Sequence, residues 1–254
     1  MTTTTAELDR LKAAAANAAA ALVEDGLIVG LGSGSTASLA LSILGHRVAE
    51  GLRIIGIPTS RQTQREARRL GIPLSTLAEH DHIDVTIDGA DEVDVGRLNL
   101  LKGRGGALLR EKIIASTSEQ LIIVIDETKL VDRLGVHGSV AVEVVPFAWH
   151  ATARRLQTIG ASLVRRTAPE GQPFITDGGH YILDCAFGTI DDPEHLQRQL
   201  DGTVGVVEHG LFLGMASRII VGGSRGVHVL RARDMTESGP VRVPARECDR
   251  ERRM

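Results

Sequence analysis

The chain has 254 residues, enough to bury a full core as one large domain or two small ones. Its formal charge of −3 gives no global basic field, and 2% aromatic residues leave little for bases to stack on, so nucleic acid is not an expected partner. Two cysteines in unlike contexts, Cys185 and Cys248, argue against a disulfide framework; with no apolar leader in MTTTTAELDR and no apolar run of membrane-spanning length, a cytoplasmic protein is expected, with no membrane partner.

In chain order, the alanine-rich stretch from Ala6 to Val23 predicts a helix. GLIVGLG suits a buried strand, and SGSTASLALSIL a helix that opens in small hydroxyl residues. RIIGIPTS reads as a second strand and RQTQREARRLG as a helix closed by Gly71. IDVTIDGADEVD is a strand running into a loop, LNLLK a shorter strand, GALLREKIIAST a helix and QLIIVID another buried strand. Strands alternating with helices in this way predict an α/β domain with a parallel, Rossmann-like sheet.

The pattern changes near Gly135. VAVEVVP, the helix from Phe147 to Ile159, ASLVRR, PFITDGGHYILDCAF with its Asp-Gly-Gly turn, the Asp-Pro-capped DDPEHLQRQL and VGVVEHGLF follow the order βαββαβ of a ferredoxin-like unit. SRIIVGG and GVHVLR then return to the first sheet. The expected division is an α/β domain over 1–134 and 209–233, an inserted α+β domain over 135–208, and a charged tail without periodicity over 234–254.

In an open parallel sheet, ligands bind beyond the carboxyl ends of the strands. Four unusual clusters fall there: GSGST, DGADEVD, KGRGG and DETKL. The first opens a helix with small residues and hydroxyls, which suits an anion in preference to the alternative of a tight turn with an ordinary cap. It is neither a dinucleotide fingerprint nor a P-loop, because Ser35 stands where a third glycine would and no Gly-Lys-Ser/Thr follows. Asp88, Asp91, Glu92 and Asp94 are open to three readings: a solvated turn, a metal site or recognition of sugar hydroxyls. The spacing does not fit a calcium loop and no histidine lies within the cluster, so metal is the weaker choice. Glycines in KGRGG let a ligand approach the backbone, Lys102 can stabilise an oxyanion, and Glu111 is either a base or an ion-pair partner on an exposed helix. Of 29 basic residues only Lys12, Lys102, Lys112 and Lys129 are lysines, which marks these positions as ones where a compact ammonium matters. The kit suits proton abstraction beside the carbonyl of a phosphorylated sugar, with no metal or nicotinamide signature.

Taken together, GLGSGSTA, IDGADEVD, KGRGGALLREKI and DETKLV, in this order and spacing, resemble the ribose-5-phosphate isomerase A family from about residue 6 to residue 231. The resemblance implies a metal- and cofactor-independent aldose–ketose isomerase acting on a small sugar phosphate, usually as a homodimer or homotetramer. It implies Glu111 as the base, Lys102 as the oxyanion partner, and Asp88 and Asp91 as groups that hold hydroxyls and assist ring opening. Lys12, Ser33, Gly34, Ser35, Thr36, Gly89, Ala90, Gly103, Arg104, Gly105 and Lys129 are implied as substrate contacts. Arg104 replaces a glycine common in the family's turn, so its side chain either points away or adds a contact. A sugar-phosphate sensor without chemistry is the competing class, although no DNA-binding element precedes residue 25. A deaminase or CoA transferase on a similar scaffold fits less, because the first would want a histidine among these loops and the second leaves DGADEVD unexplained.

Overall fold

The structure is a computed structural model that describes residues 5–231; the expected tail over 234–254, with Cys248, lies outside the described residues. Its first half runs α1 (Thr5–Ala20), β1 (Ile28–Leu31), α2 (Ser35–Ala49), β2 (Ile55–Pro58), α3 (Arg61–Arg69), β3 (Ile83–Asp88), β4 (Glu92–Asp94), β5 (Leu100–Leu101), α4 (Leu108–Thr117) and β6 (Ser118–Asp126). A 3₁₀ turn over Glu127–Lys129 leads to β7 (Leu130–Val131). Then come β8 (Val140–Val144), α5 (Trp149–Thr158), β9 (Ser162–Arg165), β10 (Tyr181–Ala186), α6 (Pro193–Asp201), β11 (Val206–His209), β12 (Leu211–Phe212), β13 (Arg218–Gly223) and β14 (Gly226–Arg231). Among the described residues no helix is long and apolar enough to cross a membrane.

The main sheet has the order β14-β13-β6-β3-β1-β2 and is parallel except for β14, which returns antiparallel to β13. Its middle strands are apolar on both sides because both faces are covered. In β6, Ile122 and Val124 join Ala15, Ala16, Ala19 and Ala20 of α1 and Leu41 and Leu44 of α2 on one face. Leu121, Ile123 and Ile125 point to the other face, toward Leu98, Leu100 and Phe212. Each fully buried branched side chain contributes roughly 1.5–3 kcal/mol. The alanines of α1 are a packing feature as well as good helix formers: small side chains let the helix lie close on β13.

The inserted unit forms an antiparallel sheet of order β11-β8-β10-β9, with α5 and α6 packed on it in the ferredoxin-like arrangement. Asp192 caps α6 by accepting from the His195 N–H, with Pro193 in the first turn, as the Asp-Pro reading predicts.

Two expectations are corrected. DEVD is not loop: Glu92–Asp94 is a strand of a third sheet, β12-β5-β4-β7. Leu100 and Leu101 belong to that sheet too, paired antiparallel with β4 and β12, so the glycine-rich turn does not follow a strand of the main sheet. ASLVRR and PFITDGGHYILDCAF give β9 and β10, the two strands that the βαββαβ order expects, with Thr167 and Pro173 joined by an isolated bridge between them.

Candidate active site

The site is assembled where the third sheet meets the carboxyl ends of β1, β3 and β6. Lys102 follows β5 directly, and its N–H donates to the carbonyl of Gly210 at 2.8 Å. This bond aims the side chain inward, where the ammonium lies 3.0 Å from Asp88 Oδ2 and 3.3 Å from Glu111 Oε2 and donates to the Gly89 carbonyl. All three side chains are nearly dry, at 4%, 2% and 6% exposure. The Phe212 ring forms a wall, with the Lys102 ammonium 5.5 Å and the Lys112 ammonium 4.9 Å from its centroid. Glu111 lies in the first turn of α4, because the helix begins at Leu108, and it is buried there rather than on an exposed helix face.

The two carboxylates against Lys102 differ. Asp88 Oδ1 accepts the N–H groups of Ser33 (3.1 Å) and Gly89 (2.8 Å), while Oδ2 meets Lys102, so its charge is fully partnered. Glu111 is paired with Lys102 alone; among the described residues no backbone N–H donates to it. Burial therefore dominates and pushes the Glu111 carboxyl up, to about 7, with Asp88 adding to the rise and Lys102 opposing it. Burial pulls the Lys102 ammonium the other way, but Asp88 and then Glu111 outweigh it and hold the lysine charged.

The turn from β1 to α2 lies against Asp88. A side chain at Gly32 would place its Cβ 2.4 Å from Asp88 Oδ1, so only glycine permits this approach. Gly34, at φ +89°, opens α2 without a side-chain cap, and the first bond into the helix is from Ser38 N–H to the Gly34 carbonyl. The N–H groups of Gly34, Ser35, Thr36 and Ala37 are thus left at a helix N-terminus, the arrangement that holds an anion. Ser33 differs from its neighbours. Its N–H goes to Asp88, and its hydroxyl lies 2.7 Å from Thr59 Oγ1, 3.0 Å from Ser60 Oγ and 3.1 Å from Thr63 Oγ1. Lys12 lies 3.9 Å from Asp126 Oδ2 at the end of β6, and Lys129 follows in the 3₁₀ turn, half-buried and without a partner among the described residues.

The acidic run divides by role. Asp88 supports Lys102. Asp91 Oδ2 accepts the Arg104 N–H at 2.9 Å. Glu92 is buried and binds the N–H groups of Gly135 and His137, each at 2.6 Å. Asp94 closes its own turn through the Gly96 N–H at 2.7 Å. Gly89 is consumed by this wiring at both ends, Ala90 packs against the core under β4, and the Arg104 guanidinium sits at the exposed rim with Nε 3.8 Å from Asp91 Oδ1. Gly103 takes φ +107°, and Gly105 has open space around it.

Sequence reasoning missed Phe212, whose ring has no polar signature, and Arg166, which reaches the glycine-rich turn from the inserted unit. Among the described residues, Asp201, Glu208 and His209 bring ligand atoms within 4.8 Å of one another. The Lys112 ammonium already donates to Glu208 and to the His209 carbonyl, so a cation is in place beside them. Burial and Lys112 both keep His209 below its usual range.

The family Ribose 5-phosphate isomerase A (phosphoriboisomerase A) matches residues 55–226. A ribose-5-phosphate isomerase A of Gloeobacter violaceus is 58% identical over 224 residues, covering 88% of this chain and 97% of the relative. One of Synechococcus sp. is 53% identical, covering 89% and 99%. The structure of ribose 5-phosphate isomerase A from Methanocaldococcus jannaschii superposes with a TM-score of 0.84 at 39% identity, covering 88% of this chain and 99% of that one. A D-ribose-5-phosphate isomerase in complex with phospho-erythronic acid superposes with a TM-score of 0.85 at 40% identity, with the same coverage.

Proposed function

Because the chain belongs to the ribose 5-phosphate isomerase A family, we propose that Glu111 is the base in its reaction, the interconversion of D-ribose 5-phosphate and D-ribulose 5-phosphate in the non-oxidative pentose phosphate pathway. The observation that carries this reading is a carboxylate raised to about 7 by burial, 3.3 Å from an ammonium that stays charged. A base that titrates near the working pH is both ionised often enough and basic enough to take a proton from carbon.

From aldose to ketose, Glu111 removes the proton from C2 of the open-chain sugar, and the C2–H electron pair forms the C1–C2 double bond. The carbonyl electrons move to O1, and Lys102 stabilises the resulting enediolate oxygen by charge and hydrogen bonding in a dry site. Glu111 returns the proton to C1, while the hydroxyl proton moves from O2 to O1 and C2 becomes the carbonyl. Asp88 keeps Lys102 charged and aimed, and Asp91 binds sugar hydroxyls and assists ring opening. The phosphate rests on the N–H groups of Gly34, Ser35 and Thr36, with Lys12 and Lys129 as counter-charges. Gly89, Ala90, Gly103, Arg104 and Gly105 form the backbone walls between which the sugar lies. Ser33 is assigned to placing the turn rather than touching phosphate, since its N–H and hydroxyl are both engaged. The chemistry needs no cofactor or metal. We further propose a cytoplasmic homodimer or homotetramer, with unit boundaries near 134/135 and 208/209.

Ketose formation from ribose 5-phosphate in EDTA, by wild type beside Glu111→Gln, tests the reading. Wild type should turn over, and the variant should lose at least a hundredfold in kcat with KM changed less than about threefold, because the amide cannot carry the proton. Undiminished turnover in Glu111→Gln removes the assignment of the base. Binding of ribose 5-phosphate without turnover by wild type selects the sensor reading instead.

A further inference from the structure

The inserted unit sends one charged side chain into the glycine-rich turn. Arg166 follows β9, and its guanidinium is gripped by Asp184 of β10 through both carboxylate oxygens, with Nε 2.9 Å from Oδ2 and Nη2 on Oδ1. The bidentate fork fixes the plane of the guanidinium. Nη1 then donates to the carbonyls of Gly103, at 2.8 Å, and Arg104, at 3.0 Å. The side chain is 16% exposed and its Cζ lies 5.9 Å from the centroid of the Phe174 ring, which itself fills the space beside Gly106.

The Gly103 carbonyl and the Arg104 N–H belong to one peptide group. Its carbonyl is held by Arg166, and its N–H donates to Asp91 Oδ2 at 2.9 Å. A peptide following a glycine at φ +107° has little steric resistance to rotation, so the orientation of this group depends on what grips its two ends. Were it to turn over, Asp91 would face a carbonyl oxygen in place of an N–H donor. We infer that Arg166, clamped by Asp184, is a positioning residue for the isomerase reaction: it locks the Gly103–Arg104 peptide in the orientation that presents an N–H to Asp91, and so lets the inserted unit set the sugar-binding half of the site. The inference rests on the reading of Asp91 as a substrate group.

Three properties separate this role from a merely structural one. A lysine at position 166 offers an ammonium without the planar fork, and its three donors cannot make the four hydrogen bonds that Arg166 makes to both Asp184 oxygens and the two carbonyls. The phosphate cradle on α2 is built from other residues, so inorganic phosphate, used as a competitive inhibitor, reports an undisturbed fold and cradle. An effect that travels through Asp91 should vanish when Asp91 has no carboxylate. The experiment therefore compares wild type, Arg166→Met, Arg166→Lys, Asp184→Asn, Asp91→Ala and the double variant Arg166→Met/Asp91→Ala. Ribose 5-phosphate kinetics, phosphate inhibition and melting are measured for each.

The expected result is a loss of tenfold or more in kcat/KM for both Arg166→Met and Arg166→Lys and a smaller loss for Asp184→Asn, with phosphate inhibition within twofold of wild type. In the Asp91→Ala background, Arg166→Met should cost less than threefold. Full activity in Arg166→Lys, or turnover and phosphate inhibition declining together, overturns the inference, as does a loss that is unchanged without Asp91. If Arg166→Met fails to fold, Asp184→Asn against Asp91→Ala/Asp184→Asn decides by the same criterion of non-additivity. Turnover by wild type keeps failure of this inference distinct from failure of the isomerase reading, and Glu111→Gln tests the base separately.

Discussion

Glu111 shares a dry pocket with Asp88, and its ionised form lacks both water and the N–H donors that Asp88 enjoys. Two predictions follow from the resulting rise to about 7. The acid limb of kcat/KM should bend near pH 7, because the protonated carboxyl cannot take a proton from carbon, and Glu111→Gln should leave no such limb in its residual activity. A limb near pH 4 to 5 in wild type would show that the carboxylate is solvated or better partnered than the geometry says. The same shift acts on stability with a definite sign. Between the ordinary glutamate value and about 7, the native state binds the proton that the unfolded chain has lost, so stability falls as pH rises through this window. Above it the ionised carboxylate costs on the order of 3 kcal/mol. Glu111→Gln should therefore melt higher than wild type at pH 8 and close to it at pH 4; a variant that melts lower at pH 8 would contradict the sign. At this scale the sequence was informative through scarcity. Three of its four lysines stand in the site regions that the family resemblance implies, and the fourth, Lys112, shares Phe212 with Lys102.

The turn between β1 and α2 couples the phosphate side of the site to its proton-transfer side, because Ser33 N–H binds the same carboxylate that binds Lys102. Gly32→Ala tests that coupling. Its methyl would sit 2.4 Å from Asp88 Oδ1 and 2.5 Å from the Ile87 carbonyl, so either the turn or Asp88 must move. Overpacking of this kind costs about 1–3 kcal/mol. The expected outcome is a lower melting temperature with kcat and KM both impaired; a variant with wild-type kinetics would show that turn and carboxylate are not mechanically linked. The β1, β2, β3 and β6 strands and the helices α1 to α4 were legible because long apolar runs and 3.6-residue periods carry their own signal. The third sheet was not, because β5, β7 and β12 have two residues each and show no period to read. That is also why the glycine-rich turn was attached to the wrong sheet. The resemblance implies Ser33 as a substrate contact, and its hydroxyl faces partners 26 to 30 residues away that no local pattern could reveal.

Across the whole molecule, the inserted unit touches the main sheet's helices through an aspartate, besides the contact of Arg166 with the glycine-rich turn. Asp177, in the Asp-Gly-Gly turn, accepts the Arg61 N–H at 2.6 Å at the start of α3 and lies 3.6 Å from Arg110 on α4, the residue before Glu111. The turn is stiffened from below by the buried Glu143, which accepts from Thr176 Oγ1 at 2.7 Å and meets His180 Nδ1 at 2.9 Å. The sequence marks Asp-Gly-Gly as a turn but cannot show that its carboxylate caps a helix 116 residues earlier. A carboxylate at a helix N-terminus satisfies an orphan N–H and the helix dipole together, worth about 0.5–2 kcal/mol. Asp177→Ala should therefore lower the melting temperature by roughly 2–4 °C per kcal/mol lost for a chain of this size. It should also loosen α4 where it carries Glu111, so kcat should fall severalfold while phosphate inhibition stays near wild type. Asp177→Asn keeps an acceptor for the Arg61 N–H but gives up the charge facing Arg110, and it should recover much of the stability and less of the turnover. Calorimetry and kinetics on the two variants separate the contributions. Equal behaviour of alanine and asparagine would mean that the cap is idle and that Asp177 acts through its ion pair, whereas wild-type melting and turnover in both would leave the coupling of the inserted unit to the site with its other polar contacts, Arg166 on the glycine-rich turn and Glu208 on Lys112.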